Sequence, residues 1–418
     1  MDSTLLWVWL SLHMKAGTHV YSNLIDEFGS IGAIYDCVDS DVDNIPWMND
    51  SQKRRILDKN TDRAKEVINW CNKYGVNILT LDDDDYPCTL RELSDKPAVL
   101  YYVGTLPDFS KELGIAVIGT RDMTTYGEQA AFEFGYGLSR GGAVVISGGA
   151  LGIDCSAQKG AILANCPTVA ILGSGIDILY PNQNHSMFLE IMENGAVITE
   201  YPPFTPPNGY NFPVRNRLIS GISHGVVVVE ADKNSGAMIT AERAIKQNKP
   251  LFSVPGPIGR FQSTGTNELI RNGAKAVTSA LDVLEEYLDV YADLIKITPS
   301  KEKPNISKLR NMFTEKKQSA LGAFLEVVGI KRKKNYLKAK KSNEDAKDTS
   351  KQSVVDIDSL GLDDNAKRLY NYMELGRKYN ADNLEMLNME TGILSSTLSM
   401  LEIYGLIEKV PGGFFIKK

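Results

Sequence analysis

The chain has 418 residues, of which 43% are hydrophobic and 23% are charged. This length favours two or three domains, and the composition excludes collagen-like and wholly disordered proteins. The net charge of -6 excludes a uniformly basic protein, although local basic patches remain compatible with it.

The first part of the chain, residues 1–75, predicts a small helical domain. Apolar segments of helical spacing are separated by Gly, Asn and Asp residues. The turn M-K-A-G-T-H-V weakly resembles a helix-hairpin-helix (or SAM-like) module, but it lacks a second glycine and a basic cluster. We therefore expect a packing domain here, with the nucleic-acid module as the alternative.

The second part, residues 76–280, predicts a Rossmann-like domain with an N-terminal extension. The extension has two apolar strands joined by the acidic turn 82–85, which we interpret as solvated and not as a metal site. From residue 114 onwards apolar strands alternate with amphipathic helices, and runs such as V-V-V-V are typical of central parallel strands covered on both faces. This pattern predicts an α/β fold with a doubly wound parallel sheet. The predicted strands are GIAVIGT, AVVISGG, PTVAILGSG, AVITEYPP, GVVVVEA and PLFSVPG.

The last two parts are a linker and a second small domain. Residues 281–352 predict a helix followed by a Lys-rich linker, and residues 301–341 hold 13 Lys or Arg against three Asp or Glu. Residues 353–418 have the order of a winged helix, with helices across a short turn followed by two strands around P-G-G. Its candidate recognition helix carries no Lys or Arg, so we favour a protein contact or weak DNA binding over major-groove reading.

Several chemical classes have few candidate residues. The five cysteines form no C-x-x-C pair and the chain has four histidines, which argues against disulfides, metal sites and histidine catalysis. The N-terminal apolar stretch is too short for a signal peptide, and no run approaches the roughly 18 residues of a membrane span. We therefore expect a cytoplasmic protein with no cofactor and no membrane contact, and a binding protein, not an enzyme.

The predicted strands end in glycine and small hydroxyl residues, in the segments G-T-R, S-G-G-A-L-G-I-D and G-S-G. Glycine lets backbone approach a ligand, and helix N-termini supply unpaired N–H donors, so loops converging at the carboxyl edge of a sheet predict an anion site. The alternative is that these glycines only permit tight turns. Neither the dinucleotide fingerprint nor the P-loop motif is present.

The segment F-P-V-R-N-R adds Phe212, Arg215 and Arg217 at the apparent start of a helix. Arginine suits phosphate and Phe212 offers a face for a base. The alternative for the arginines is an ion pair, with Glu200 or Glu230 as partner.

Together these motifs resemble the DprA/Smf family of DNA-processing proteins. The resemblance covers residues 114–277, and the preceding D-x-x-Y-P-x-x-L and the C-terminal winged helix fit the family's three-part layout. It implies a homodimer that binds single-stranded DNA, protects incoming strands during natural transformation and helps to load a RecA-type recombinase. Carried onto this sequence, the resemblance implies that the DNA-binding residues are Gly119, Arg121, Gly148, Gly149, Gly152, Phe212, Arg215 and Arg217.

Two further possibilities stay open. The basic run of the linker offers additional phosphate contacts at Lys331, Arg332, Lys333 and Lys334. The main rival function is a nucleotide-binding enzyme of the cytokinin-activating phosphoribohydrolase type, whose P-G-G-x-G-T-x-x-E signature is replaced here by E-A-D-K-N-S-G-A-M-I-T-A. A protein that only scaffolds partners is the third class, and it would show no salt-dependent DNA binding.

Overall fold

The helices and strands below come from a computed structural model. It describes residues 2–296, 364–373, 378–379, 397–398, 401, 406–410 and 414–417. The chain forms two compact units, residues 1–331 and residues 332–418. The finer domain boundaries expected from the sequence stay predictions. Within the described ranges no helix is long and apolar enough to cross a membrane.

Six helices make up the N-terminal region, which the spacing of its apolar residues predicted to be helical. The Asp2 carboxylate caps the first helix by accepting a hydrogen bond from the Thr4 N–H at 3.2 Å. The second and sixth helices end at Gly29 and Gly75, whose φ angles of 79° and 67° lie in the left-handed region that glycine adopts without strain. The helices are α1 (Ser3–His13), α2 (Val20–Phe28), α3 (Ile31–Asp36), α4 (Asp39–Asp43), α5 (Asp50–Leu57) and α6 (Asp62–Tyr74).

A nine-stranded, largely parallel sheet follows these helices. The six strands predicted from residue 114 onwards are all present, and the central ones are buried along their whole length. The strands are β1 (Asn77–Thr80), β2 (Val99–Gly104), β3 (Gly114–Ile118), β4 (Val144–Ser147), β5 (Thr168–Ile171), β6 (Gly195–Thr199), β7 (Gly225–Val228), β8 (Leu251–Ser253) and β9 (Lys275–Ala276).

The order of the strands is β1-β2-β6-β5-β4-β3-β7-β8-β9. Strands β3 to β9 pair in parallel, and β2 and β1 extend the sheet in antiparallel fashion beyond β6. From β3 the chain first builds outwards through β4 and later returns to β7 on the other side. The loops after β3 and β7 therefore diverge at the carboxyl edge, which is where doubly wound sheets bind ligands.

Helices cover both faces of the sheet because alternate strand residues point to opposite faces. Ile115 and Val117 of β3 pack in one core cluster with α8 and α9, and Ala116 and Ile118 pack in another with α11 and α12. The helices of this region are α7 (Cys88–Arg91), α8 (Thr125–Arg140), α9 (Ile153–Leu163), α10 (His185–Glu193), α11 (Asn211–Ile222), α12 (Gly236–Lys246), α13 (Thr264–Arg271), α14 (Ala280–Leu284) and α15 (Leu288–Tyr291).

The N-terminal helices share a core with this sheet. Trp7 and Trp9 of α1 are 1% and 0% exposed and belong to the same cluster as Leu172 and Val197. Burying side chains of this size contributes more to the stability of the fold than burial at most other core positions. The helical region is thus anchored to the sheet.

The second unit contains a helix and a small antiparallel sheet. They are α16 (Asp364–Tyr372), β10 (Lys378–Tyr379), β11 (Ile407–Val410) and β12 (Phe414–Lys417). The strand order is β10-β12-β11, and Leu369, Leu401 and Ile407 are in its core. Most of the predicted recognition helix, and the predicted linker beyond residue 296, lie outside the described residues.

Candidate functional site

The loop after β3 is held in place by Glu230, which follows β7. The Thr120 N–H donates to the Glu230 carbonyl at 2.7 Å. The buried Glu230 carboxylate accepts from the Thr124 N–H at 2.9 Å and from the Thr124 hydroxyl at 2.6 Å. Arg121 lies between these two fixed points and is exposed. The switch between β3 and β7 therefore presents one guanidinium to solvent on a rigid loop.

Phe212 at the start of α11 lies beside that guanidinium. The Arg121 guanidinium carbon is 5.5 Å from the centre of the Phe212 ring. The centre of the Tyr180 ring is 5.7 Å from the centre of the same Phe212 ring. A Cβ built at Gly173 would lie 2.9 Å from the Phe212 ring, so the G-S-G loop after β5 needs glycine to make room for it. The structure thus brings together Arg121 and Phe212, two of the residues predicted from the sequence.

Arg215 comes to the same place but is buried. Its guanidinium carbon is 5.8 Å from the Phe212 ring centre, and 3% of the residue is exposed. Its Nη1 donates to the carbonyl of Gly148 at 2.8 Å and to that of Ile171, at the ends of β4 and β5. Burial lowers the pKa of Arg215 to about 10. Arg215, which the family resemblance implies as a DNA-binding residue, therefore lies buried beneath the ring, where it ties the ends of β4 and β5 together.

Arg217, also implied as a DNA-binding residue by the resemblance, is buried in an ion pair. It is 1% exposed, and its two terminal nitrogens each donate to a carboxylate oxygen of Glu200 at 2.7 Å. Its Nε donates to the carbonyl of Asp95 at 3.1 Å. The ion-pair alternative raised from the sequence therefore holds for this residue, with Glu200 as partner, and Arg217 does not line the candidate site.

The glycines of the loop after β4 let neighbouring loops approach one another. A Cβ at Gly152, where φ is 82°, would lie 2.3 Å from the carbonyl oxygen of Thr120, and one at Gly149 would lie 2.4 Å from the Phe188 ring. A Cβ at Gly119 would meet Ile153 at 2.5 Å. These three glycines thus let the loop after β4 and the start of α9 pack closely against the loop that carries Arg121, and their contacts with DNA stay a prediction.

Asp154, in the first turn of α9, occupies the interior of the same loop. Its carboxylate accepts from the Gly148 N–H at 3.0 Å. Burial raises its pKa, and the neighbouring charge of Arg215 opposes that shift. No role was predicted for Asp154 from the sequence. The feature that could have indicated one is an acidic residue directly after a glycine run, at the start of a helix.

Two other segments singled out from the sequence are the acidic turn 82–85 and the basic run of the linker. Asp83 of the acidic turn accepts from the Thr80 N–H at 2.6 Å and its hydroxyl at 2.8 Å, as in a local turn. Among the residues that the structure describes, no group of three or more His, Cys, Asp or Glu could hold a metal ion. Lys331, Arg332, Lys333 and Lys334 lie outside the described residues.

The fold defines an α/β protein with a helical N-terminal region and a largely parallel sheet. Its candidate site is an arginine at the switch point of that sheet, with an aromatic ring beside it. Residues 77–288 match the family model described as DNA recombination-mediator protein A. The DNA processing protein DprA of Bacillus subtilis is 37% identical over 224 residues, which cover 54% of this chain and 75% of that protein. This chain belongs to the DprA/Smf family.

Two further comparisons agree with this assignment. The DNA processing protein DprA of Streptococcus pneumoniae is 40% identical over 205 residues, covering 49% of this chain and 72% of that protein. The X-ray structure of DNA processing protein A from Streptococcus pneumoniae superposes with a TM-score of 0.57 at 30% identity, and covers 68% of this chain and 99% of that one. The family expected from the sequence motifs is confirmed.

Proposed function

We propose that this protein is a DNA-processing protein that binds single-stranded DNA at the carboxyl edge of its sheet. The observation that carries the proposal is the pair formed by the exposed Arg121 guanidinium and the Phe212 ring, 5.5 Å apart. An arginine beside an aromatic ring offers a phosphate contact and a stacking surface together. In a duplex the faces of each base are stacked on its neighbours, so such a surface favours the unstacked bases of a single strand.

The wider role is proposed from family membership. Relatives named DNA processing proteins, and a family model named for a recombination mediator, support a role in DNA processing and recombination. We propose that the protein acts in the cytoplasm as a homodimer, that it protects incoming strands during natural transformation, and that it helps to load a RecA-type recombinase. In this role the protein is a binding protein and not an enzyme.

The contacts of Asp154 weigh against the phosphoribohydrolase alternative. A nucleotide-binding loop needs its backbone N–H groups for phosphate. Here the Gly148 N–H group already donates to the carboxylate of Asp154. The exposed Arg121 lies outside this loop, so a strand contacts it without displacing Asp154.

A direct test compares labelled oligo-dT with a duplex of the same length at two salt concentrations. We expect tighter binding of the single strand, with log affinity falling by about 0.7 per phosphate contact for each tenfold rise in salt. Equal affinity for the duplex, or binding that ignores salt, would refute the proposal.

The basic run of the linker gives a second prediction. Deleting residues 331–341 should lower affinity modestly and reduce the salt slope, because lysines on a linker make additive, non-directional phosphate contacts. Titrations of the deletion variant and the full chain, at the same salt concentrations, measure the difference in slope. Complete loss of binding would place the main site in the linker and not at Arg121.

The C-terminal unit is proposed to be a winged helix. A helix at Asp364–Tyr372 and an antiparallel sheet that ends in the hairpin β11–β12 support this interpretation. With no Lys or Arg in the candidate recognition helix, we propose that this unit contacts protein or binds DNA weakly.

A further inference from the structure

We propose that the segment 202–211 and Lys15 form a second contact for the single strand, next to Arg121 and Phe212; this rests on the function proposed above. The segment reads P-P-F-T-P-P-N-G-Y-N and contains no acidic residue. It leads directly into α11, and it exposes two large rings: Phe204 is 65% and Tyr210 is 58% exposed. We call it the aromatic segment.

A cation from the N-terminal helices lies on this segment. The Lys15 ammonium is 4.3 Å from the centre of the Tyr210 ring, and both side chains are exposed. The turn that carries Lys15 packs closely on α11, because a Cβ at Gly17 would lie 2.4 Å from Val214 Cγ1. The position of Lys15 is therefore set by the fold.

Phe204 is held outwards at a cost. Its φ of 69° lies in the left-handed region, which is unfavourable for an aromatic residue. The Asp177 carboxylate accepts from the Phe204 N–H at 2.8 Å, and the ring meets Trp70 edge-on at 5.4 Å. Backbone strain that keeps an apolar ring in water, where it gains little from burial, points to a surface that meets a ligand.

The chemistry of the surface favours a nucleic-acid strand over a protein partner. Exposed rings, a lysine and no carboxylate in the segment match the stacking and phosphate contacts by which proteins hold single strands without reading their sequence. Tyr210 is two residues from Phe212, so at most about 7 Å of chain separates their Cα atoms. This separation is comparable to the spacing of neighbouring nucleotides, so one strand that bends around the start of α11 would reach both residues.

The test uses the full chain and a series of labelled oligo-dT of increasing length. We expect Lys15→Ala combined with Tyr210→Ala to weaken binding of long oligomers by about tenfold, the size of one lost stacking contact. Lys15→Ala alone should reduce the salt slope by about 0.7. Oligomers too short to reach beyond Phe212 should bind the variant and the wild type equally. Tyr210→Phe keeps the ring and should bind like the wild type.

Lys65→Ala is the matched control, because Lys65 is an exposed lysine of the same helical region. If the Lys15 and Tyr210 variants bind long oligomers like the wild type while Arg121→Ala loses affinity, the second contact is refuted and the proposed function stands. If the wild type binds no oligo-dT at all, the proposed function itself fails. A loss of affinity that is equal for short and long oligomers would also refute the second contact.

Discussion

Replacing Arg121 and Phe212 together by alanine should weaken oligo-dT binding by about 100-fold or more. A charge-assisted contact to phosphate contributes about 1.5–3 kcal/mol and a base stacked on an aromatic ring about 1–3 kcal/mol. Arg121 follows β3 at the switch point between β3 and β7, and the Phe212 ring centre lies 5.5 Å from its guanidinium. Fluorescence anisotropy at one fixed salt concentration measures the effect.

The two single variants and one control separate binding from folding. Arg121 is exposed, so Arg121→Ala should leave the melting temperature close to that of the wild type. Arg54→Ala removes another exposed arginine, on α5, and should change neither affinity nor stability. A folded double variant that binds oligo-dT like the wild type would remove the site from this edge of the sheet.

Replacing Arg217 by methionine should lower the free energy of unfolding by about 3–5 kcal/mol, because it leaves the Glu200 carboxylate buried without its cation. Arg217 and Glu200 are 1% and 6% exposed and form two hydrogen bonds of 2.7 Å. Changing both residues, with Glu200→Leu added, should recover part of that loss, because the buried Glu200 charge is removed with its partner. Asp95 also loses Arg217, 3.5 Å away, but it keeps Arg243 at 3.7 Å. Urea unfolding followed by circular dichroism measures the free energy of unfolding of the wild type, the Arg217→Met variant and the double variant.

An exposed ion pair provides the comparison for this variant. Lys65 and Asp62 are 3.3 Å apart, with side chains 54% and 75% exposed, and Lys65→Ala should change stability by less than about 1 kcal/mol. If Arg217→Met kept full stability but lost oligo-dT binding, Arg217 would be a DNA contact after all, as the sequence resemblance implied.

The sheet and part of the site could be predicted from the sequence. Buried parallel strands leave long apolar runs, so six of the seven strands that the large sheet has from residue 114 onwards, β3 to β8, appear in the pattern. The seventh, β9, is two exposed residues long and leaves no such run. The place of Arg121 at the carboxyl edge could be predicted because it directly follows a predicted strand, and the carboxyl ends of parallel strands meet at one edge. Its contact with DNA is what the family resemblance implies and stays a prediction.

The roles of Arg215 and Arg217 could not be predicted in the same way. Residues two apart on a helix point to different sides, so at least one of the two is normally expected to face solvent. Helix α11 is covered on several sides, and residues 217–222 are all buried. Glu200 was one of the two ion-pair partners that the sequence offered, but the sequence did not say which arginine it would pair with. The carbonyls of Gly148 and Ile171, which Arg215 contacts, are distant in sequence, so only the tertiary structure reveals them.

The N-terminal helices show a similar limit. Their spacing predicts helices, but it does not reveal that Trp7 and Trp9 join the core of the sheet, because apolar residues on a helix do not specify what covers them. Lys15 reaches Tyr210 through the same packing. Neither contact leaves a signal in the order of residues.

The carboxylate of Asp154 in the loop after β4 has a consequence for how a strand would leave the site. In many nucleic-acid motors, hydrolysis of a bound nucleotide acts as a timer that resets the grip on the strand. Here a carboxylate of the same chain already accepts the Gly148 N–H, so a nucleotide phosphate would have to displace it to use that donor. In the role proposed above, a strand would then leave this edge by passive exchange, and the next protein to take it would compete by concentration and affinity.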